Sequence, residues 1–194
     1  MPHEGTANVG YSAGGFEEKC GWRADIMARV YSFPEQSVLR DRYASSTYRD
    51  CYCEVLSETD KRGPVGLFIS VMHPMPIWVQ GLMTVRNTVV RLFGLRTDAG
   101  NTKIEQDESC YKVGDYVGFF EIAYLDQNEV VFTTNDRHLD ASFSMLIDTA
   151  DGRRAYFTSV VKTKEKLGDV YMFVIAPFHR FIVGRMFKRL RKSD

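Results

Sequence analysis

The second half of the chain alternates apolar and polar residues with a period of two, and turn residues interrupt this pattern at short intervals. The pattern predicts four strands, at 116–125, 129–134, 139–148 and 153–163. The third is the clearest, since one of its faces carries only apolar residues: Leu139, Ala141, Phe143, Met145 and Ile147. Asp151 and Gly152 form a strong hairpin signal before the fourth. Such short connections predict an antiparallel meander, with one face buried and the other partly in water.

Apolar residues at other spacings predict the remaining elements. We expect a short helix within 32–43, a first strand at 50–56, and helices at 64–72 and 76–93. A last helix, from about 169 to 191, carries an apolar stripe made of Val170, Phe173, Val174, Phe178, Phe181, Ile182, Met186 and Leu190. We expect this stripe to cover the apolar face of the sheet, and Pro177 to kink the helix.

These elements predict an α+β fold. An antiparallel meander sheet would curve around the long C-terminal helix, with two helices inserted after the first strand. This layout is similar to that of the helix-grip folds of the START and Bet v 1 type, which implies a cavity between sheet and helix. Residues 1–21 are rich in Gly, Ser and Ala and predict a flexible arm, while 22–194 predict a single domain.

The charge composition argues against nucleic acid as a partner. The chain has 25 Lys and Arg against 25 Asp and Glu, so it has no global attraction for polyanions. Its C-terminal part is locally basic, because six cations and no acid lie between Arg180 and Lys192. This basic tail could dock on anionic lipid or nucleic acid, but a solvated helix end explains it more simply, since cations there offset the helix dipole.

Cysteine usage and hydropathy predict a cytoplasmic location. The four cysteines show no metal-binding or disulfide spacing, which is typical of buried thiols in a reducing compartment: Cys20, Cys51, Cys53 and Cys110. Residues 1–15 lack the features of a signal peptide. The apolar stretch 64–85 is interrupted by prolines and predicts two helices, so we expect no integral membrane segment. No motif indicates a cofactor.

Several short motifs resemble one known family. His73-Pro-Met-Pro-Ile-Trp-Val, the D-x-H-L-D sequence at 136–140 and the P-F-H sequence at 177–179 resemble a bacterial family that is catalogued only as domain of unknown function 2867. The resemblance runs over roughly 37–190. It implies a small bacterial domain that stands alone or follows a nucleotide-binding reductase domain, and it implies no catalytic roles.

Asp136, His138 and Asp140 form the most suggestive polar cluster. A carboxylate bonded to an imidazole suits a general base. A solvated turn, in which Asp136 caps backbone amides and pairs with His138, is the simpler interpretation. A metal site made of these three residues with His179 is also conceivable, but the spacing does not require it and we expect no metal.

Four other residues are candidates for ligand binding. Arg86 lies on the apolar stripe of its helix, where it predicts either an ion pair with Asp136 or Asp140 or an anchor for a ligand's carboxylate or phosphate. His179 could bond a carbonyl freed by Pro177, or it could face the sheet. Two aromatic residues, Trp78 and Phe143, could belong to the core or line a pocket.

Three functional hypotheses follow. The leading one is a module that binds a small apolar or amphipathic ligand between the meander and the C-terminal helix, with Arg86 or His179 at a polar end. The second is an enzyme of the cyclase or hydrolase kind that uses Asp136, His138 and Asp140. The third is a protein-interaction module that uses the basic tail or a sheet edge as its contact surface. Such a module could associate with copies of itself to form an oligomer.

Overall fold

A computed structural model describes residues 29–30, 32–74, 76–81, 84, 107–118, 120–135 and 139–191. Arg86, Asp136 and His138 lie outside the described residues, and so does Lys192. Seven antiparallel strands form one sheet in the order β1-β2-β7-β6-β5-β4-β3. They are β1 Arg29–Val30, β2 Tyr48–Val55, β3 Tyr116–Val117, β4 Phe120–Leu125, β5 Glu129–Asn135, β6 Leu139–Asp148 and β7 Arg154–Thr163.

Three helices accompany the sheet: α1 Arg40–Ser45, α2 Pro64–Met72 and α3 Lys166–Phe187. Residues 77–81 are helical as well, at the start of the helix predicted for 76–93. Single 3₁₀ turns follow at Glu108–Cys110 and Lys188–Leu190. The predicted α+β class is confirmed, with a meander, a long C-terminal helix and helices after the first long strand.

Two predicted boundaries are wrong. The single strand expected at 116–125 is a tight hairpin of β3 and β4, in which Val117 pairs with Phe120. Gly118 turns the chain there with φ of 66°, a conformation that glycine adopts without strain. The helix expected within 32–43 begins only at Arg40. Upstream of it the chain forms turns, because buried Glu129 binds the Ser37 hydroxyl at 2.6 Å and the Val38 amide at 2.9 Å.

The main core lies between one face of the sheet and the helices α2 and α3. Aromatic rings fill its centre: Phe68 of α2 stacks on Phe132 at 4.0 Å between ring centroids, and Phe157 lies 6.4 Å from Phe68. Phe187, at the end of α3, closes the same cluster and is fully buried. Close packing of large rings leaves this core filled with side chains.

The second face of the sheet is covered as well, although we expected it to be partly in water. Leu39 packs there on Val131 and Val160, and a separate cluster joins Cys51 and Cys53 to neighbouring strands. The cause is the segment before β2, which Glu129 holds against the sheet through the hydrogen bonds given above. Both faces of the central strands are therefore covered.

The C-terminal helix does not bury the stripe that the sequence suggested. Most of that stripe points outward: Val170, Phe173, Val174, Phe178 and Phe181 are exposed by between 40% and 84%. The helix instead buries Gly168, Met172, Gly184, Met186 and Phe187. Two of these five buried residues, Gly168 and Gly184, are glycines. The helix continues through Pro177 without interruption.

The exposed apolar residues give α3 an unusual composition. Among the residues described, the segment Lys166–Leu190 is long and apolar enough to cross a membrane by length and composition alone, and only 17% of its most apolar stretch is buried. In this fold, however, the opposite side of the helix packs against β2, β7 and α2. The helix is thus part of the domain along its whole length.

Candidate functional site

A polar site lies where α3 crosses the sheet. Asp50 on β2 pairs in register with Ser159 on β7, and Ser159 pairs with Phe143 on β6. Side chains at paired positions point to the same face. Asp50 and Ser159 therefore place polar groups on the face that α3 covers, where their neighbours along the strands are mostly apolar. His179 of α3 lies above them, with its ring centroid 6.2 Å from that of Phe143.

The Asp50 carboxylate is the centre of this cluster. Its side chain is 5% exposed. One oxygen, Oδ2, accepts a hydrogen bond from the Tyr48 hydroxyl at 2.6 Å and lies 3.5 Å from both the Tyr52 hydroxyl and His179 Nε2. The other oxygen, Oδ1, is buried and has no hydrogen-bond partner among the described residues. A buried carboxylate oxygen without a partner is energetically costly.

The surroundings of Asp50 also fix the protonation of its neighbours. Burial alone would raise the pKa of Asp50, but hydrogen bonds from His179 and Tyr48 prevail and lower it. Asp50 is therefore ionised at neutral pH. Burial, together with the adjacent Asp50 charge, raises the pKa of Tyr48 and of Tyr52 well above the ordinary tyrosine value. Both phenols consequently remain hydrogen-bond donors across the physiological range.

A surface groove opens beside this cluster. Its volume is about 900 Å³, and it runs between the start of β2 and the part of α3 from Asp169 to Arg180. Apolar side chains form its wall: Met172, Phe173, Val174, Ala176 and Pro177. Its polar rim consists of Thr47, Tyr48, Asp169 and Arg180. The Arg180 guanidinium lies over the Tyr48 ring, 5.4 Å from its centroid, so a cation stands at one end of an apolar groove.

A family model describes most of this chain. The match runs from residue 42 to residue 186 and belongs to DUF2867, whose members are proteins of unknown function. The chain belongs to the DUF2867 family. No curated protein matches the sequence. The matched region contains Asp50, Ser159 and His179 together with the groove, so the whole site lies within the family domain.

The fold places only some of the predicted ligand-binding residues at this site. His179 faces the sheet and bonds Ser159 Oγ at 3.0 Å. Phe143 lies beside it as a half-buried member of the core edge. Trp78 is 40% exposed and packs edge-on against Phe181, 5.6 Å between centroids, outside the residues that line the groove. Arg86 lies outside the described residues.

Of the predicted cluster Asp136, His138 and Asp140, only Asp140 belongs to the described residues. Asp140 forms an ion pair with Lys164 at 2.7 Å on the partly exposed side of the strand, whereas Asp136 and His138 lie outside the described residues. Within the described part of the chain, no group of three or more His, Cys, Asp and Glu side chains could hold a metal ion. The polar cluster that the fold assembles around α3 is a different one.

Asp50, His179 and Ser159 have the residue types of a serine hydrolase triad but not its geometry. In a triad the serine and the carboxylate bond opposite nitrogens of the imidazole. In this DUF2867 domain both approach the same atom, Nε2, at 3.0 Å and 3.5 Å. Ser159 is also completely buried and cannot meet a substrate. The cluster is therefore a largely buried hydrogen-bonded unit beside the groove.

Sequence reasoning missed Asp50, Tyr48, Ser159 and Arg180. A signal for the first was present, because an acidic residue stands between two tyrosines at alternate positions of a buried strand, Tyr48-x-Asp50-x-Tyr52. A charge at a core-facing position of a strand requires a partner. The partner, His179, is 129 residues away in sequence, and only the register of β2 against β7 and the placement of α3 bring them together.

Proposed function

We propose that this DUF2867 domain binds a small amphipathic molecule in the groove between β2 and α3, with an anionic group of the ligand at Arg180. The observation that carries the proposal is the combination of an apolar wall with one cation at its end. Small-molecule sites are mostly apolar and contain a few polar groups that fix the ligand's orientation. Planar guanidinium groups suit carboxylates and phosphates.

The buried cluster supports this assignment by fixing one wall of the groove. Tyr48 lines the groove, and its hydroxyl is held at 2.6 Å by Asp50, which His179 and Tyr52 hold in turn. A binding surface whose side chains are already ordered loses less entropy when a ligand binds. The sequence analysis placed His179 at the polar end of the ligand. In this proposal His179 does not contact the ligand; it is a positioning residue that holds Asp50, which in turn holds Tyr48.

The first experiment is native mass spectrometry of the freshly purified protein, followed by denaturing extraction of any molecule that co-purifies. We expect a stoichiometric amphipathic ligand with an acidic group. Calorimetric titration with dodecanoate then tests the site directly. Arg180→Gln should weaken binding by about tenfold or more, since a charge-assisted hydrogen bond is worth about 1.5–3 kcal/mol. A native protein without ligand that also fails to bind dodecanoate would refute the proposal.

Arg191→Gln is the matched control. Arg191 is an exposed cation of the same basic tail and does not line the groove. The same loss of charge should therefore leave dodecanoate binding unchanged. If both substitutions weakened binding equally, the effect would be one of general charge, and Arg180 would not anchor the ligand.

An acid–base enzyme is the second candidate, and the unpartnered Oδ1 of buried Asp50 favours it. In this version Asp50 and His179, rather than Asp136, His138 and Asp140, would exchange a proton with the ligand through the Tyr48 hydroxyl. Incubating the protein with its extracted ligand would show turnover, and Asp50→Asn would abolish that turnover. If the wild-type protein leaves the ligand chemically unchanged, the enzyme hypothesis is wrong and binding is the remaining function.

A cytoplasmic location is part of the proposal. Cys51, Cys53 and Cys110 are free thiols, and burial raises the pKa of Cys51 to about 12, which keeps that thiol protonated and unreactive. Labelling of intact cells with a thiol reagent that does not cross membranes should leave Cys110 unmodified. Its modification in intact cells would place the domain outside the reducing compartment.

A further inference from the structure

The outward side of α3 carries an apolar surface that shares Phe173 and Val174 with the groove and continues beyond it. We call it the outer stripe; it consists of Val170, Phe173, Val174, Phe178 and Phe181. Phe173 is 84% exposed and Phe178 is 49% exposed. A core helix of similar composition would be mostly buried, whereas only 17% of the most apolar stretch of this segment is buried. A continuous apolar surface of this kind marks a site of association.

Two further residues extend the outer stripe beyond α3. Trp78 packs edge-on against Phe181, and its neighbour Ile77 is 86% exposed. Tryptophan beside exposed aliphatic and phenylalanine side chains is typical of surfaces that enter the interface between lipid headgroups and acyl chains. The apolar surface is therefore formed by two separate parts of the chain.

The charges around the outer stripe select the kind of partner. Arg180, Arg185, Lys188, Arg189 and Arg191 follow one another without any intervening acid. The Arg185 guanidinium lies 5.6 Å from the centroid of the Phe181 ring, at the edge of the stripe. Such cations can reach headgroup phosphates while their stems remain on apolar surface. Asp169 lies at the opposite end of the helix, where its carboxylate bonds the Thr163 hydroxyl.

We propose that α3 lies flat on an anionic lipid surface, with the outer stripe inserted among the acyl chains and its basic C-terminal end against the headgroups. The contacts of α3 within the domain favour a helix that lies on the membrane surface over one that crosses the membrane. The opposite side of the helix buries Met172, Met186 and Phe187 in the domain and holds His179 against Asp50 and Ser159. A spanning helix would have to break these contacts, whereas an interfacial helix keeps them.

Vesicle sedimentation tests the proposal. The full chain should bind vesicles of phosphatidylcholine and phosphatidylserine, and should bind pure phosphatidylcholine vesicles more weakly. Phe178→Ser should weaken binding by about tenfold or more, because it removes an aromatic side chain from the apolar phase. Arg185→Gln should weaken binding to the anionic vesicles by about fivefold and have little effect with neutral ones. Neither residue lines the groove, so dodecanoate binding should survive both changes.

Two valines provide a matched control. Val170 belongs to the outer stripe and is 58% exposed, while Val113 lies in the loop before β3 and is 57% exposed. Val170→Ser should weaken vesicle binding by about fivefold, and Val113→Ser should leave it unchanged. Equal effects of the two substitutions would show general stickiness rather than a defined surface. Circular dichroism would confirm that each variant is folded.

A depth measurement separates the interfacial from the spanning arrangement. Trp78 becomes the single tryptophan in a Trp22→Phe background, since the chain has two. Lipids brominated near the headgroup should quench its fluorescence more strongly than lipids brominated near the end of the chain. The proposal fails if wild-type protein binds neither kind of vesicle. It also fails if Phe178→Ser abolishes a dimer instead, or if the Phe178→Cys variant resists thiol labelling in the free protein.

Discussion

The helices α2 and α3 are both strongly apolar, yet the fold covers them to very different extents. Six of the nine residues of α2 are buried, whereas α3 buries five of 22. The difference arises from position, because α2 packs over β5 and β6 in the middle of the sheet, while α3 meets β2 and β7 with one side only. Apolar sequence therefore predicts that a helix forms, but it does not specify how much of its surface the domain buries.

The two helices also differ in what holds them. Phe68 of α2 is surrounded by the rings of Phe120, Phe132 and Phe157. The middle of α3 is held by a polar group, His179, which reaches a buried carboxylate and a buried hydroxyl. An aromatic contact tolerates small shifts, whereas a hydrogen bond to a buried charge requires one geometry. We infer that α2 stabilises the core and that His179 fixes the position of α3.

The largest effect is expected in α2. Phe68→Ala removes a side chain that is 2% exposed and leaves a cavity between three rings. Its cost should be about 3–5 kcal/mol in the free energy of unfolding. Urea unfolding followed by circular dichroism measures it. A loss below about 1 kcal/mol would mean that the helix relaxes into the space and that the ring cluster is loosely packed.

A somewhat smaller effect is expected below α3. Asp50→Asn should cost about 3 kcal/mol at neutral pH, because it leaves His179 and Ser159 beside a neutral amide in place of the carboxylate. The folded pKa of Asp50 is lowered, so the stabilisation by its charge is present above the unfolded pKa of about 3.9 and is lost as the pH falls through the folded value. The difference between wild type and variant should therefore shrink in acid.

Unfolding experiments at pH 7 and pH 3 test this dependence. Asp151→Asn is the matched control, since Asp151 forms an exposed ion pair with Arg154 and its side chain is 89% exposed. Its cost should stay within about 0.5 kcal/mol at both pH values. A deficit for Asp50→Asn that is equally large at pH 3 would show that the carboxylate contributes by shape and not by charge.

Much of the fold was predictable because it rests on local patterns. The strict alternation at 139–148 and the Asp151-Gly152 turn gave β6 and β7 with boundaries correct to within one residue. The helix predicted at 64–72 is confirmed with its boundaries. The β3–β4 hairpin was missed, since the glycine that turns it is followed by two phenylalanines and resembles the interior of a strand.

The candidate site was less predictable because it depends on long-range register. His179 was recognisable as a polar residue in an apolar helix that could bond a freed carbonyl or face the sheet, but Asp50 was not foreseen as its partner. The side of α3 that faces the sheet was also predicted incorrectly. Its apolar residues cover most of the helix circumference, so periodicity could not tell the side that meets the sheet from the side that does not. Residues 168 and 184, both glycine, were the available signal for close packing.

A third prediction concerns the start of α2. The Glu108 carboxylate accepts hydrogen bonds from the amides of Gly63 and Gly66, at 2.9 Å and 2.8 Å, and so caps the helix from a distant segment. Glu108→Ala should cost about 1–2 kcal/mol in the free energy of unfolding. A methyl group on Gly66 would come within 2.3 Å of Glu108 Oε2 and displace the cap.

A double-mutant cycle reveals the coupling. Alanine is favoured over glycine in a helix by about 1 kcal/mol, so Gly66→Ala should stabilise the Glu108→Ala background. In the wild-type background this gain should be cancelled by loss of the cap. Coupling of about 1 kcal/mol or more between the two changes is expected. Additive effects would mean that the carboxylate does not cap the helix in solution.

The smallest effect is expected on the outward side of α3, and it completes the comparison. Phe173→Ala removes as large a ring as Phe68→Ala does, but Phe173 is 84% exposed. Exposed positions outside special features usually change stability by less than about 0.5 kcal/mol. Urea unfolding of both variants should therefore show a loss in the free energy of unfolding that is several-fold larger for Phe68→Ala than for Phe173→Ala. A large loss for Phe173→Ala would place a covering partner on α3 in solution, because only buried apolar surface stabilises the folded state.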